Sequence, residues 1–102
     1  MANKKLTGGS SDYYKVKVDN PTSPEIDPYT AECNDIIEAL NLSYTEGNIV
    51  KAIWRMAKNR MGEGKPGVSN LYDAEKVEFF AKRVLSKEQQ HAKNSQTDSS
   101  SI

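Results

Sequence analysis

Lys51, Arg55 and Lys58 recur at spacings of four and three, so on a helix they share one face at one-turn intervals. Three cationic donors placed this way can converge on a phosphate or a polyphosphate. The competing reading is a solvated face whose cations pair with acids such as Glu46 or Glu63. Trp54 stands beside Arg55 and offers a ring on which a base can stack, although a lone Trp on the apolar side of a short helix is more commonly core. Asn48 both donates and accepts hydrogen bonds, which suits the edge of a base or a neighbouring loop.

Other chemistries find fewer partners. His91 is the single histidine and sits in a polar stretch, so a catalytic dyad or a histidine-based metal site lacks a second imidazole. Cys33 is the single cysteine. An internal disulfide is therefore excluded, and its place on an apolar helix face suits a small buried hydrophobe. Glu32, Asp35 and Glu38 repeat every three residues and read either as carboxylate ligands for a divalent ion or as a solvated acidic face. The run Gly62-Glu63-Gly64-Lys65-Pro66 lacks the glycine spacing of a P-loop and follows a helix instead of a strand. It reads as a mobile connection, with Lys65 as a donor if it closes over a ligand. Fourteen basic and fourteen acidic residues cancel, so no long-range field draws in nucleic acid or an acidic membrane. An anion site must be local.

The elements that position these residues follow from periodicity and caps. Ser43 and Glu46 form a capping box, and Gly47, Val50, Trp54, Ala57 and Met61 mark one face of the helix that follows. Tyr13 to Val18 alternates as one short strand, which has no ladder partner and must pair with its copy in another subunit or lie across a helix. Pro21, Pro24 and Pro28 keep the next segment extended. Asp27-Pro28 then predicts the start of a first helix through Tyr29, Cys33, Ile36, Ile37 and Leu40, ending at Asn41. Asn70 and Asp73 predict a cap for a third helix with Leu71, Ala74, Val77, Phe80, Ala81, Val84 and Leu85 on its apolar side. Residues 1–12 and 89–102 read as disordered tails. No run of about 18 apolar residues occurs, and the start lacks the apolar middle of a signal peptide, so the cytosol is expected.

The stretch from Asp35 to Leu40, then Gly47-Asn48-Ile49-Val50-Lys51-Ala52-Ile53-Trp54-Arg55-Met56-Ala57-Lys58, then Leu71 to Phe80, resembles a short helical domain family common in bacteriophage genomes. That family is described as of unknown function or as nucleotide kinase-like. The resemblance covers about two thirds of the chain and aligns Gly47-Asn48, Lys51, Arg55, Lys58 and Lys76 in order. It departs at the strap, where Val18-Asp19-Asn20-Pro21 keeps the family's proline without its histidines. The resemblance thus carries nucleotide binding further than kinase activity.

The resulting expectation is an all-α, three-helix, compact domain spanning 13–88, with a strap over 13–28 and helices at about 28–40, 43–61 and 70–88, assembled as a homo-oligomer. Asn48, Lys51, Trp54, Arg55, Lys58, Lys76 and Tyr44 are its expected ligand-binding residues, with Tyr44 or Trp54 stacking on a base. The ligand is a nucleotide or a nucleotide-derived signalling molecule, sequestered from host immunity in the bacterial cytoplasm. No cofactor is expected. The alternatives are a nucleoside monophosphate kinase-like enzyme, which would need magnesium and an acid such as Asp73 or Glu75, and an inhibitor of a host protein. Nucleic acid and membrane partners are not expected.

Overall fold

A computed structural model describes the backbone of residues 12–100 and side chains as far as residue 95. Apart from Asp12, the expected N-terminal tail lies outside the described residues. A single 3-10 turn, Asp12–Tyr14, leads into β1 (Lys15–Val18) and β2 (Tyr29–Glu32), then α1 (Cys33–Ala39), α2 (Tyr44–Arg60) and α3 (Asn70–Ser100). The three expected helices are present, and the chain is mostly helical. A two-stranded antiparallel sheet joins them.

The strap reading changes most. β1 pairs with β2 of the same chain, in the register Lys15↔Glu32 to Val18↔Tyr29. The prolines of the connection act as a turn region between strands, with Ile26 N–H donating to the Ser23 carbonyl at 3.1 Å. Asp27-Pro28 is therefore not a helix start. Tyr29-Thr30-Ala31-Glu32 is a strand because a distant partner satisfies its backbone, which local capping signals cannot report. The first helix starts at Cys33 instead, with no side-chain cap from Glu32.

The helix ends obey local rules. Asn41 adopts φ 52° while its N–H donates to Glu38 and the Leu42 N–H donates to Ile37, each at 3.0 Å. This is a Schellman closure of α1 with asparagine in the left-handed position. The capping box of α2 is complete: Glu46 N–H donates to Ser43 Oγ at 3.1 Å and Ser43 N–H donates to Glu46 Oε1 at 2.9 Å. Gly62, at φ 81°, closes α2 in the same way as Asn41 closes α1, with Glu63 N–H donating to the Lys58 carbonyl at 2.9 Å. For α3 the cap is Ser69, whose Oγ accepts from the Tyr72 N–H at 3.0 Å. Asn70 is the first helical residue, so the cap expected there is displaced by one position.

α2 against α3 is the principal packing interface. Among the described residues, Cys33 and Ala52 are the buried hydrophobics, whereas eleven large hydrophobics, including Leu40, Tyr44, Leu71 and Phe79, are exposed. α3 continues well past the expected end near residue 88, reaching Ser100. Every residue from 85 to 95 is exposed, so this part of the helix stands without tertiary packing. Among the described residues no helix is long and apolar enough to cross a membrane.

Two glycines separate steric need from helix propensity. A Cβ on Gly47 would meet Ile37 Cγ2 at 3.5 Å, an ordinary contact, whereas one on Gly64 would lie 2.7 Å from the Asn59 Cα. Chemical denaturation is expected to show Gly47→Ala stabilising by about 0.5–1 kcal/mol and Gly64→Ala destabilising by about 1–3 kcal/mol through overpacking.

Candidate functional site

The row on α2 is divided among neighbours: Lys51 and Arg55 both meet Tyr14, Arg55 also binds Asp73, and Lys58 binds Glu63. Arg55 is buried and donates from Nε at 3.1 Å and from Nη2 at 2.6 Å to Asp73 Oδ1. Its Nη1 donates to the Tyr14 hydroxyl at 2.9 Å. Asp73 is 2% exposed, so α3 holds its carboxylate inside the helix interface instead of using it at a cap. Burial works against the Arg55 charge, but the hydrogen bonds to Asp73 and Tyr14, with the Asp73 charge, outweigh it and hold the pKa above its ordinary value.

Lys58 is also buried, and its Nζ binds Glu63 Oε1 at 2.5 Å. The Schellman closure at Gly62 turns Glu63 back over the last turn of α2, and this backbone geometry supplies the lysine's partner. Lys51 reaches the same Tyr14 as Arg55, with Nζ 5.6 Å from the ring centre. Asn48 donates to the Tyr44 carbonyl of its own helix at 2.8 Å. Tyr44 is 80% exposed and meets Phe80 edge-on at 6.0 Å between ring centres. Trp54 is half-buried with its Nε1 enclosed and without a hydrogen-bond partner.

A cleft of about 230 Å³ does lie between α2, the 61–69 loop and α3, lined by Arg55, Lys65, Gly67, Val68, Tyr72 and Lys76. Of the seven expected residues it brings together Arg55 and Lys76. Asn48, Lys51, Trp54, Lys58 and Tyr44 are not among its lining residues. Lys65, Gly67 and Tyr72 are gained. Gly67 adopts φ 79°, a conformation that favours glycine and lets the loop bend back along the cleft. Lys76 lies 5.5 Å from the Tyr72 ring centre, and Lys65 lies 6.0 Å from that of Tyr13.

The charges of the cleft are unequal in availability. Arg55 is balanced by Asp73, whereas neither Lys65 nor Lys76 has a carboxylate partner among the described residues. Two half-buried ammonium groups facing rings leave their remaining donors for an anion, and the adjacent start of α3 adds the positive end of a helix dipole. A signal for Tyr72 existed in the sequence, since it stands four residues before Lys76. It was obscured by the apolar pattern of the surrounding helix.

Cys33 is 1% exposed. Burial pushes its thiol pKa up, against the opposing pull of Lys51 and Arg55, so it is a packing residue and not a thiolate nucleophile at neutral pH. Among the described residues no group of three or more His, Cys, Asp or Glu could hold a metal ion. No protein-family model matches the chain, and no curated protein or solved structure matches it either.

Arg55→Ala is expected to destabilise the fold by about 3–5 kcal/mol in denaturant titrations, because Asp73 would remain buried without its partner. The joint replacement Arg55→Met with Asp73→Leu should recover most of that loss; a loss as large as the single variant's would show that the pair's net attraction, not the orphaned charge, is what matters. The Cys33 contribution has the opposite pH sense to acid denaturation. With the folded pKa raised, stability is full below the unfolded value, near 9.0, and falls as pH rises beyond it. Cys33→Ala should flatten that alkaline decline.

Proposed function

We propose that this protein binds a nucleotide or another small phosphorylated molecule in the cleft between α2, the 61–69 loop and α3, and holds it without turnover. The observation that carries the reading is the pair Lys65 and Lys76, delivered by different elements to one cleft that Tyr72 also lines, and without carboxylate partners among the described residues. The lysines receive phosphate oxygens and Tyr72 stacks against a base or sugar. Arg55 shapes the wall and contributes little free charge. The resemblance to the bacteriophage domain family supports the same reading, since Lys76 and Arg55 fall within the motifs that carry it. In an infected bacterium, such binding would withdraw a nucleotide signal from host immunity in the cytoplasm.

The kinase-like alternative asks for an acid facing the cations. Asp73 is enclosed and held by Arg55, which favours binding over phosphoryl transfer. Self-association is a further part of the proposal. Ile36 on α1 and Leu40 at its C-cap lie one turn apart, and Tyr44 opens α2, all exposed. A chain this small gains stability by covering such groups against a second copy.

Thermal unfolding with mononucleotides tests the site. At a hundred times its dissociation constant a ligand should stabilise by about 2.7 kcal/mol. Lys65→Ala and Lys76→Ala should remove the shift while leaving the ligand-free midpoint nearly unchanged. If Lys51→Ala removes it and Lys76→Ala does not, the cleft is the wrong place, and formation of a diphosphate product would overturn binding without turnover. Sedimentation that finds a single-chain mass at micromolar concentration would remove the self-association.

A further inference from the structure

The outer side of α3 carries a feature that begins at the cleft residues Tyr72 and Lys76 and continues beyond them. At 3.6 residues per turn, positions 72, 76, 79, 83, 86, 87 and 90 fall within a sector of about 100°. Their residues are Tyr72, Lys76, Phe79, Arg83, Ser86, Lys87 and Gln90. The sector contains two aromatic rings, three cations and no carboxylate; Glu75, Glu78 and Glu88 lie outside it. Tyr72 is 51% exposed and Phe79 59% exposed. A shallow groove of about 340 Å³ is lined by Phe79, Lys82, Arg83, Ser86 and Lys87. Lys82 faces Glu78 at 3.6 Å, but Arg83 and Lys87 have no carboxylate partner among the described residues. The 230 Å³ cleft opens onto the same stripe through Tyr72 and Lys76.

We infer that the cleft is the head of a longer track along α3 that takes a short single-stranded oligonucleotide. The inference rests on the cleft reading at its N-terminal end and adds the stretch from Phe79 to Lys87. Interleaved rings and cations match a strand whose bases expose flat faces and whose phosphates repeat along its length. From Tyr72 to Lys87 the helix runs about 22 Å, longer than a mononucleotide and suited to a few nucleotides. A purely acidic peptide would use the cations and leave the two exposed rings without a partner. The zero net charge of the chain does not oppose this, because the acids lie outside the sector and the attraction is short-range.

Fluorescence anisotropy of the full chain with oligothymidylate and oligouridylate dodecamers, each in competition with mononucleotides, tests the track. Both strands should bind more tightly than a mononucleotide. The logarithm of affinity should fall with the logarithm of salt with a slope of about −3, as expected for four cations, Lys65, Lys76, Arg83 and Lys87, on single-stranded phosphates. Phe79→Ala should weaken the oligonucleotides about tenfold and Arg83→Ala should reduce the slope by about 0.7, with mononucleotide binding unmoved by either; the thermal midpoint should stay put for Arg83→Ala and fall slightly for Phe79→Ala, whose ring meets Phe80 edge-on at 5.0 Å. If Lys76→Ala abolishes binding of both ligand types but Phe79→Ala and Arg83→Ala change nothing, the track is overturned and the cleft reading stands. If polyglutamate or anionic vesicles displace the strands as well as free oligonucleotide does, the stripe is a general anionic surface and the track is overturned. If neither mononucleotides nor oligonucleotides bind, both readings fall.

Discussion

The arrangement depends on one buried contact, the Arg55 guanidinium enclosed between Asp73 and the Tyr14 hydroxyl. Three elements meet there: the 3-10 turn, α2 and α3. Removing a guanidinium and a carboxylate from water opposes folding by several kcal/mol, and only close, hydrogen-bonded geometry offsets it. Any slide of α3 along α2 would separate the charges while leaving both buried. We read the pair as a device that sets the register of the two helices more than as a source of net stability. With buried hydrophobics confined to Cys33 and Ala52 among the described residues, apolar contacts alone would discriminate weakly between neighbouring registers.

That constraint decides which cations remain for a ligand. Lys51, Arg55 and Lys58 share a helix face, and a shared face looks like a shared purpose. Yet a one-turn spacing also lets each side chain meet a different element packed across that face. Tyr14 meets both Lys51 and Arg55, Asp73 meets Arg55, and Glu63 meets Lys58. The cations left over come from positions with no common periodicity, Lys65 in a loop and Lys76 on α3. Convergence from separate elements is a property of the fold, and helical spacing carries no trace of it.

What could be read from the residues followed interaction range. The Ser43–Glu46 capping box, the asparagine closing α1 and the glycine closing α2 are each local within a few residues, and they were legible. Lys58 with Glu63 is nearly so, since the acid lies only five residues on. β2 is not legible locally, because Tyr29 to Glu32 becomes a strand only through β1, more than ten residues away in the chain, while Asp27-Pro28 imitates a helix start. The role of Asp73 is hidden for the same reason: an acid in a first turn looks like part of a cap, and its partner lies eighteen residues earlier on another helix. The continuation of α3 to Ser100 leaves no periodic signal, because its polar composition lacks the apolar stripe that marks a packed helix.

The exposed rings of α3 are the residue of this accounting. Val77, Phe80 and Val84 are half-buried and recur at spacings of three and four, as a helix lying along α2 requires. Tyr72 and Phe79 are seven residues apart and sit on another face, so neither spacing nor burial makes them part of that interface. An exposed phenylalanine contributes little to a core and raises the risk of aggregation, a liability that cations around it reduce by keeping the surface charged. Charge for solubility alone would be served as well by acids, since the chain contains as many of them as of bases. Their segregation away from the ring-bearing sector is what solubility does not explain and what an anionic, ring-bearing partner does.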